Sequence, residues 1–189
     1  VNGTWNINDA LTFRSAFRYA QYVDRLAAIS NQIQSNGTYV QSFQARAPRT
    51  LQNFGGYDFL DAAFNTGFIA HKVTMGVYGD QYIFNQHKDE QQTVTVGTFP
   101  LTDPTYVSQP SNIVGTLPTF PTAEVLTTNY VIGDEAKLSK SWSALVGVNY
   151  AGIKEQDYSS PGVLTQSAYD KAQLTPTISL IYKPIDAVS

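Results

Sequence analysis

Few residues in this sequence are of a type and spacing that could do chemistry. His71 and His87 are its two histidines, and it has no cysteine. A metal site built from protein needs clustered His, Cys, Asp or Glu ligands, and neither His-x-x-x-His nor His-Glu-x-x-His occurs. His71 falls in mid-run beside Lys72, where a structural role is expected. His87-Lys88-Asp89-Glu90 reads as a solvated, charged loop start. There is no Gly-x-Ser-x-Gly elbow and no phosphate loop, and the carboxylates are scattered rather than paired. The sequence does not read as an enzyme, and no cofactor bound by the protein itself is expected. Side chains suited to contact rather than reaction remain. Phe99, Tyr106 and Phe120 stand among polar residues in the longest irregular stretch, 86–122, with Pro100, Pro104, Pro110, Pro118 and Pro121. So long a loop between two strands is commonly functional, which makes these three aromatics the candidate ligand contacts. Arg14 and Arg18 are expected on a wetted face, in a structural ion-pair network rather than on a ligand.

Positioning these residues falls to strands. In Trp142–Tyr150, the side chains of Trp142, Ala144, Val146, Val148 and Tyr150 share one face, while Ser143, Gly147, Asn149 and the exception Leu145 share the other. An apolar face that begins with Trp and ends with Tyr suits a strand facing lipid, with amphipathic rings at both interfaces. Its eight steps cover roughly 26 Å, or about 19 Å along a barrel axis at 45° tilt, a little short of the ~25 Å apolar band of an outer-membrane barrel. Tyr130–Leu138 precedes it across the polar turn Ser139-Lys140-Ser141, giving a hairpin over 124–154. Asp134 is its misfit, having the parity of Tyr130, Ile132 and Leu138. Either the inner interface tolerates that carboxylate or a bulge turns it inward.

In chain order, Val1–Ile7 reads as the tail of a strand closing at Asn8-Asp9-Ala10. Leu11–Asp24 follows, with Leu11, Phe13, Phe17, Tyr19 and Val23 opposite Thr12, Arg14, Arg18 and Asp24. Residues 25–34 fit strand or helix, strand being preferred. Ser35-Asn36-Gly37 is a hairpin turn leading into strand-like Thr38–Ala47. Pro48 and Gly55-Gly56 are expected to interrupt the descending arm as bulges or bends, and Tyr57–Phe64 has helical propensity. The rising arm, Leu11 to Gln34, far exceeds the ~9 to 11 residues that cross a bilayer, so its excess must stand above the membrane. After a turn at Asn65–Phe68, Ile69–Asn85 rises with Val73, Met75 and Val77 outward. Within 86–122 only Thr93–Val96 is a fair strand. Lys154–Lys171 is expected as an outer loop, Ala172–Lys183 as the next strand and Pro184-Ile185-Asp186 as an inner turn.

Three anchors, in order along most of the chain, resemble TonB-dependent siderophore receptors. One is Tyr130-x-x-x-Asp134, Leu138, a polar turn, Trp142 and Gly147-x-x-Tyr150. Where the family has Arg-Tyr-Asp, this chain has Asn149-Tyr150-Ala151. Phe64-Asn65-Thr66-Gly67 with His71, Val73 and Gly76 is similar to the family's Phe-x-Thr-Gly-x-x-x-His-x-Leu-x-x-Gly. Leu174-Thr175-Pro176 with Tyr182-Lys183-Pro184 is the third. The resemblance decides for strand at Tyr57–Phe64. It implies an all-β fold, an antiparallel meander forming part of a transmembrane β-barrel wall with long extracellular loops and short periplasmic turns. Residues 1–189 would be a partial barrel domain in the bacterial outer membrane, lacking the plug domain and the TonB box. The implied function is TonB-dependent uptake of ferric siderophores or similar ligands. The partners would be that ligand, the TonB complex through segments not present in the chain, and outer-membrane lipid. The iron would arrive already chelated.

Bulk composition agrees without pointing there. Charged residues make up 14% of the chain, against about 25% in a typical soluble domain. The net charge of −3 and the absence of a basic cluster give no nucleic-acid footprint. No run reaches the ~18 to 20 apolar residues of a membrane helix, and a barrel strand needs none. Val1-Asn2-Gly3-Thr4 does not begin a signal peptide, which leads one to expect an incomplete chain. Two other readings fit the strands alone, a porin-like outer-membrane channel and a secreted all-β binding module.

Overall fold

The computed structural model describes residues 1–87, 91–108, 110, 119–165 and 169–184, and no helix occurs among them. The strands are β1 (Asn2–Asn8), β2 (Leu11–Ile33), β3 (Thr38–Thr66), β4 (Ile69–Gln86), β5 (Gln91–Pro100), β6 (Phe120–Lys137), β7 (Trp142–Ser160), β8 (Val163–Leu164) and β9 (Tyr169–Tyr182). All pairings are antiparallel in one sheet ordered β1-β2-β3-β4-β6-β7, with β9 and the short β8 also on β7. The stretch 25–34 and Tyr57–Phe64 are strand throughout.

The turns follow their chemistry. Asn8 Oδ1 accepts the backbone N–H groups of Ala10 and Leu11, both at 2.9 Å, closing the first hairpin. Gly37 and Gly67 take positive φ, 79° and 63°, which glycine adopts without a Cβ clash, at the β2–β3 and β3–β4 turns. Ser139 Oγ accepts from the backbone N–H groups of Ser141 and Trp142 in the β6–β7 turn.

Three expectations are corrected. Gly55-Gly56 does not break the ladder, because Arg18 and Phe17 pair with them in register. A Cβ at Gly56 would lie 2.6 Å from the Ala16 carbonyl oxygen, so glycine serves close backbone approach there, not a bulge. Pro48 does sit at a slip, since Asp24 pairs with Arg49 but Leu26 with Arg46. The stretch 86–122 is also more regular than expected. Its strand runs over Gln91–Pro100 and continues the line of β4 along β3, with Asn85 opposite Thr50 and Gln91 opposite Arg46. Likewise 154–171 is largely strand, with Lys154 paired to Asp170 and Glu155 to Tyr169. Residues 185 and 186 of the expected inner turn lie outside the described residues.

The sheet has two unlike faces. Phe13, Leu60, Met75, Ile132, Val148 and Pro176 lie in register across β2, β3, β4, β6, β7 and β9. One residue along each strand, Arg14, Phe59, Gly76, Val131, Asn149 and Thr175 line the other face. The apolar face stays open, with Phe17 55%, Val146 53% and Ile178 82% exposed. Among the described residues the only buried hydrophobic side chains are Tyr39, Phe43, Ala45 and Ala47, in the upper part of β3, where Val96 of β5 packs on Phe43 and Ala45.

Candidate functional site

The three candidate contact aromatics are not brought together. Phe99 lies in β5 with its ring centroid 5.6 Å from that of Tyr39. Tyr106 follows β5 and is 93% exposed. Phe120 opens β6 opposite Gln86, next to the Asn85–Thr50 level of the sheet. Tyr39 and Thr50 are about 35 Å apart along β3 at ~3.3 Å per residue, so Phe99 and Phe120 stand at opposite ends of the excursion. Residues 109 and 111–118 between them lie outside the described residues. The Thr105 N–H donates to the Tyr39 hydroxyl at 3.3 Å, tying the start of that stretch to the Tyr39–Phe99 pair. Of the charged loop start at His87, 88–90 also lie outside the described residues.

The polar face carries the organised polar contacts. Arg14 makes the expected structural pair with Asp61, a two-point fork in which Nη2 donates to Oδ1 at 3.0 Å, and Thr74 Oγ1 donates to the same carboxylate at 2.6 Å. One residue each from β2, β3 and β4 is thereby locked. The Arg14 guanidinium also lies over Phe59, 5.3 Å from its centroid. Arg18 has no ionic partner among the described residues. It borders an open niche of about 540 Å³ whose walls include Tyr57, Phe59, Tyr78, Asp80 and Asn129. Its floor is bare because Gly55, Gly56 and Gly79 carry no side chains. Asn149 Nδ2 donates to Asn129 Oδ1 at 3.0 Å and to the Tyr78 hydroxyl at 3.4 Å. Aromatic walls with a few polar groups and one unpaired cation suit binding of a polar or anionic ligand.

Higher on that face Asp24 meets both Arg46 and Arg49. Sequence parity places Arg46 and Arg49 on opposite faces, and the slip at Pro48 overturns that. Pro48 was the visible signal, but its effect on side-chain parity was not.

His71 resolves the Asp134 misfit. The ladder is regular at Asp134, so its carboxylate keeps the apolar parity. His71 Nδ1 lies 2.6 Å from Asp134 Oδ2, and His71 Nε2 lies 2.6 Å from Thr66 Oγ1. The Phe64 ring stacks on the imidazole at 5.1 Å. Three residues from the end of β6, the carboxylate is therefore held at the short-turn end of the sheet by a partner on the next strand. Among the described residues no three His, Cys, Asp or Glu side chains gather as metal ligands.

Comparison with solved structures gives the fold a counterpart. The chain is similar to BauA, the ferric preacinetobactin receptor of Acinetobacter baumannii, with a TM-score of 0.63 and 15% identity over 98% of this chain and 27% of that one. It is similar to PiuA, a siderophore receptor of the same organism, with a TM-score of 0.58 and 14% identity over 97% of this chain and 29% of that one. The chain thus spans less than a third of the length of either. No protein-family model and no curated protein sequence matches it. Over nearly its whole length the chain shares the fold of part of these siderophore receptors.

Proposed function

We propose that this chain is a stretch of the barrel wall of an outer-membrane receptor that imports ferric siderophores or similar chelates, driven by the TonB complex through segments beyond it. The observation that carries the reading is the open apolar face. A water-soluble domain of this length would bury such side chains, whereas here Tyr130 is 57%, Tyr150 46% and Leu180 62% exposed. The aromatic upper edge of that face also climbs in the way a tilted barrel strand requires. Tyr19 on β2 is level with Phe54, Gln81, Leu126 and Lys154, but the corresponding ring on β7 is Tyr150, four residues below Lys154. Four residues of ~3.3 Å over four strand steps of ~4.8 Å correspond to a tilt of about 35°. Outer-membrane barrels tilt their strands by roughly 35–45°. The likeness to BauA and PiuA supports the receptor class, and the polar face supplies a wall for the ligand path.

Uptake of radiolabelled iron tests the function. A strain lacking the gene should lose uptake of at least one ferric siderophore and regain it on complementation. Unchanged uptake across catecholate, hydroxamate and mixed chelates contradicts the receptor reading. The isolated chain should need detergent, because its single sheet leaves two open edges and an open apolar face. A monodisperse, water-soluble monomer contradicts the membrane assignment.

A further inference from the structure

Side chains alternate along a strand, so Arg46 and Arg49, three residues apart, would point to opposite faces of a regular β3. The slip in the β2–β3 ladder sets Ala47 and Pro48 against Arg25 alone, and both arginines then reach Asp24. Every contact is to the same oxygen. Arg46 Nη2 bonds Asp24 Oδ2, and Arg49 donates to Oδ2 from Nε at 2.9 Å while its Nη2 lies 2.8 Å from the same oxygen. A guanidinium ordinarily engages both oxygens of a carboxylate, so two of them on one oxygen leave the carboxylate's other side unused and, among the described residues, one positive charge in surplus. Arg46 Nε is buried without an acceptor. The Arg49 guanidinium lies over the Phe84 ring, 5.5 Å from its centroid, which walls the site.

The backbone is shaped around this point. Pro48 has no N–H to donate at the slip. β4 pairs with β3 as far as Asn85 opposite Thr50, and β5 pairs with it from Gln91 opposite Arg46, so the two arginines stand where β3 passes from one partner strand to the other. A bulge that re-aims a charged side chain is one way strands build sites.

We propose that Arg46 and Arg49 form an oxyanion-binding site that takes carboxylate, phosphate or catecholate oxygens from the polar face. Asp24 holds the two guanidiniums apart from solvent until a ligand oxygen shares them. That the physiological oxyanion belongs to an imported chelate rests on the receptor reading; the site itself does not.

The test is titration of the intact protein in detergent with inorganic phosphate, against chloride at equal ionic strength, read by thermal unfolding. Phosphate should stabilise the wild type saturably. Arg49→Gln should raise the half-saturating concentration by roughly tenfold or more, the effect of losing a charge-assisted pair. Arg49→Lys keeps the charge and should stay within a few-fold of wild type. Asp24→Asn should lower the half-saturating concentration, because it removes the competing carboxylate. A purely structural triad gives the opposite pattern: Asp24→Asn destabilises, and no substitution changes the phosphate response. That result overturns the site. A second arm compares an anionic ferric tricatecholate with a neutral ferric trihydroxamate by tryptophan quenching, and Arg49→Gln should weaken only the former. A phosphate response with no chelate bound would sustain the site and remove the receptor reading, whereas chelate binding without a phosphate response would do the reverse.

Discussion

A carboxylate on a hydrocarbon-facing surface is costly unless a partner takes its charge, and Asp134 has His71 on the neighbouring strand. Removing that partner by His71→Ala should lower folding stability in bilayers by ~1.5 to 3 kcal/mol, the usual worth of a hydrogen bond to a charged group. In an Asp134→Asn background the same substitution should cost much less. Urea unfolding of the four proteins of this cycle measures the coupling, and equal losses in both backgrounds would dissolve the pair. Parity makes a second prediction at adjacent residues. Val148 lies between Ile132 and Pro176 on the apolar face, while Asn149 sits beside Asn129 and Tyr78 on the polar face. Val148→Arg should cost up to ~2 to 4 kcal/mol and Asn149→Arg close to nothing, because only the first places charge in lipid. Val146 serves less well, since an arginine there would lie directly opposite Asp134. Folding into lipid vesicles compares the variants, and the reverse order would turn the strand around. At this scale the sequence showed that Asp134 was out of place, but its remedy lies sixty-three residues away, where no local pattern reaches. Arg46 was hidden for another reason: a single slip inverts parity for every residue beyond it.

Among the elements, turns were the most readable because their chemistry is local. Asn36-Gly37, Ser139–Ser141 and the alternation of Trp142–Tyr150 all fall where the residues place them. β5 was only partly visible, since Gly97 and the flanking glutamines dilute its pattern and its pairing partner is the distant upper half of β3. Pro48 was legible as a bulge but not as the hinge of that upper half. Inserting one residue after Arg25 should restore a regular ladder and turn Thr38–Arg46 over, uncovering Phe43 and dispersing the Phe43–Val96 contact. Limited proteolysis should then cut the β2–β3 extension well before the rest of the sheet. Unchanged resistance would mean that the slip is absorbed elsewhere. The segment after β5 belongs to a different class, because β4 and β6 pair from Gln86–Phe120 downward without it. Replacing 101–119 by a glycine-serine linker of about 14 residues, long enough at ~3.3 Å per residue to span the distance from β5 to β6, should weaken ligand binding at least tenfold while assembly in the membrane is unchanged. Loss of assembly together with binding would make the segment structural.

Across the whole sheet, the two faces need different surroundings. The sheet buries almost no apolar surface of its own, so its stability depends on what lies against each face. The proposed arrangement places lipid on the side of Ala144, Val146 and Val148, and water with the ligand path on the side of Ser143, Gly147 and Asn149. The chain has no native cysteine, so single cysteines can be introduced and spin-labelled one at a time from 142 to 150. The measurement is the accessibility of each label, in the intact protein reconstituted in bilayers, to oxygen, which concentrates in lipid, and to a polar nickel chelate, which stays in water. Accessibility should alternate with period two, oxygen favoured at 144, 146 and 148 and nickel at 143, 147 and 149. Nickel access at every position, or alternation in the opposite phase, would contradict this arrangement.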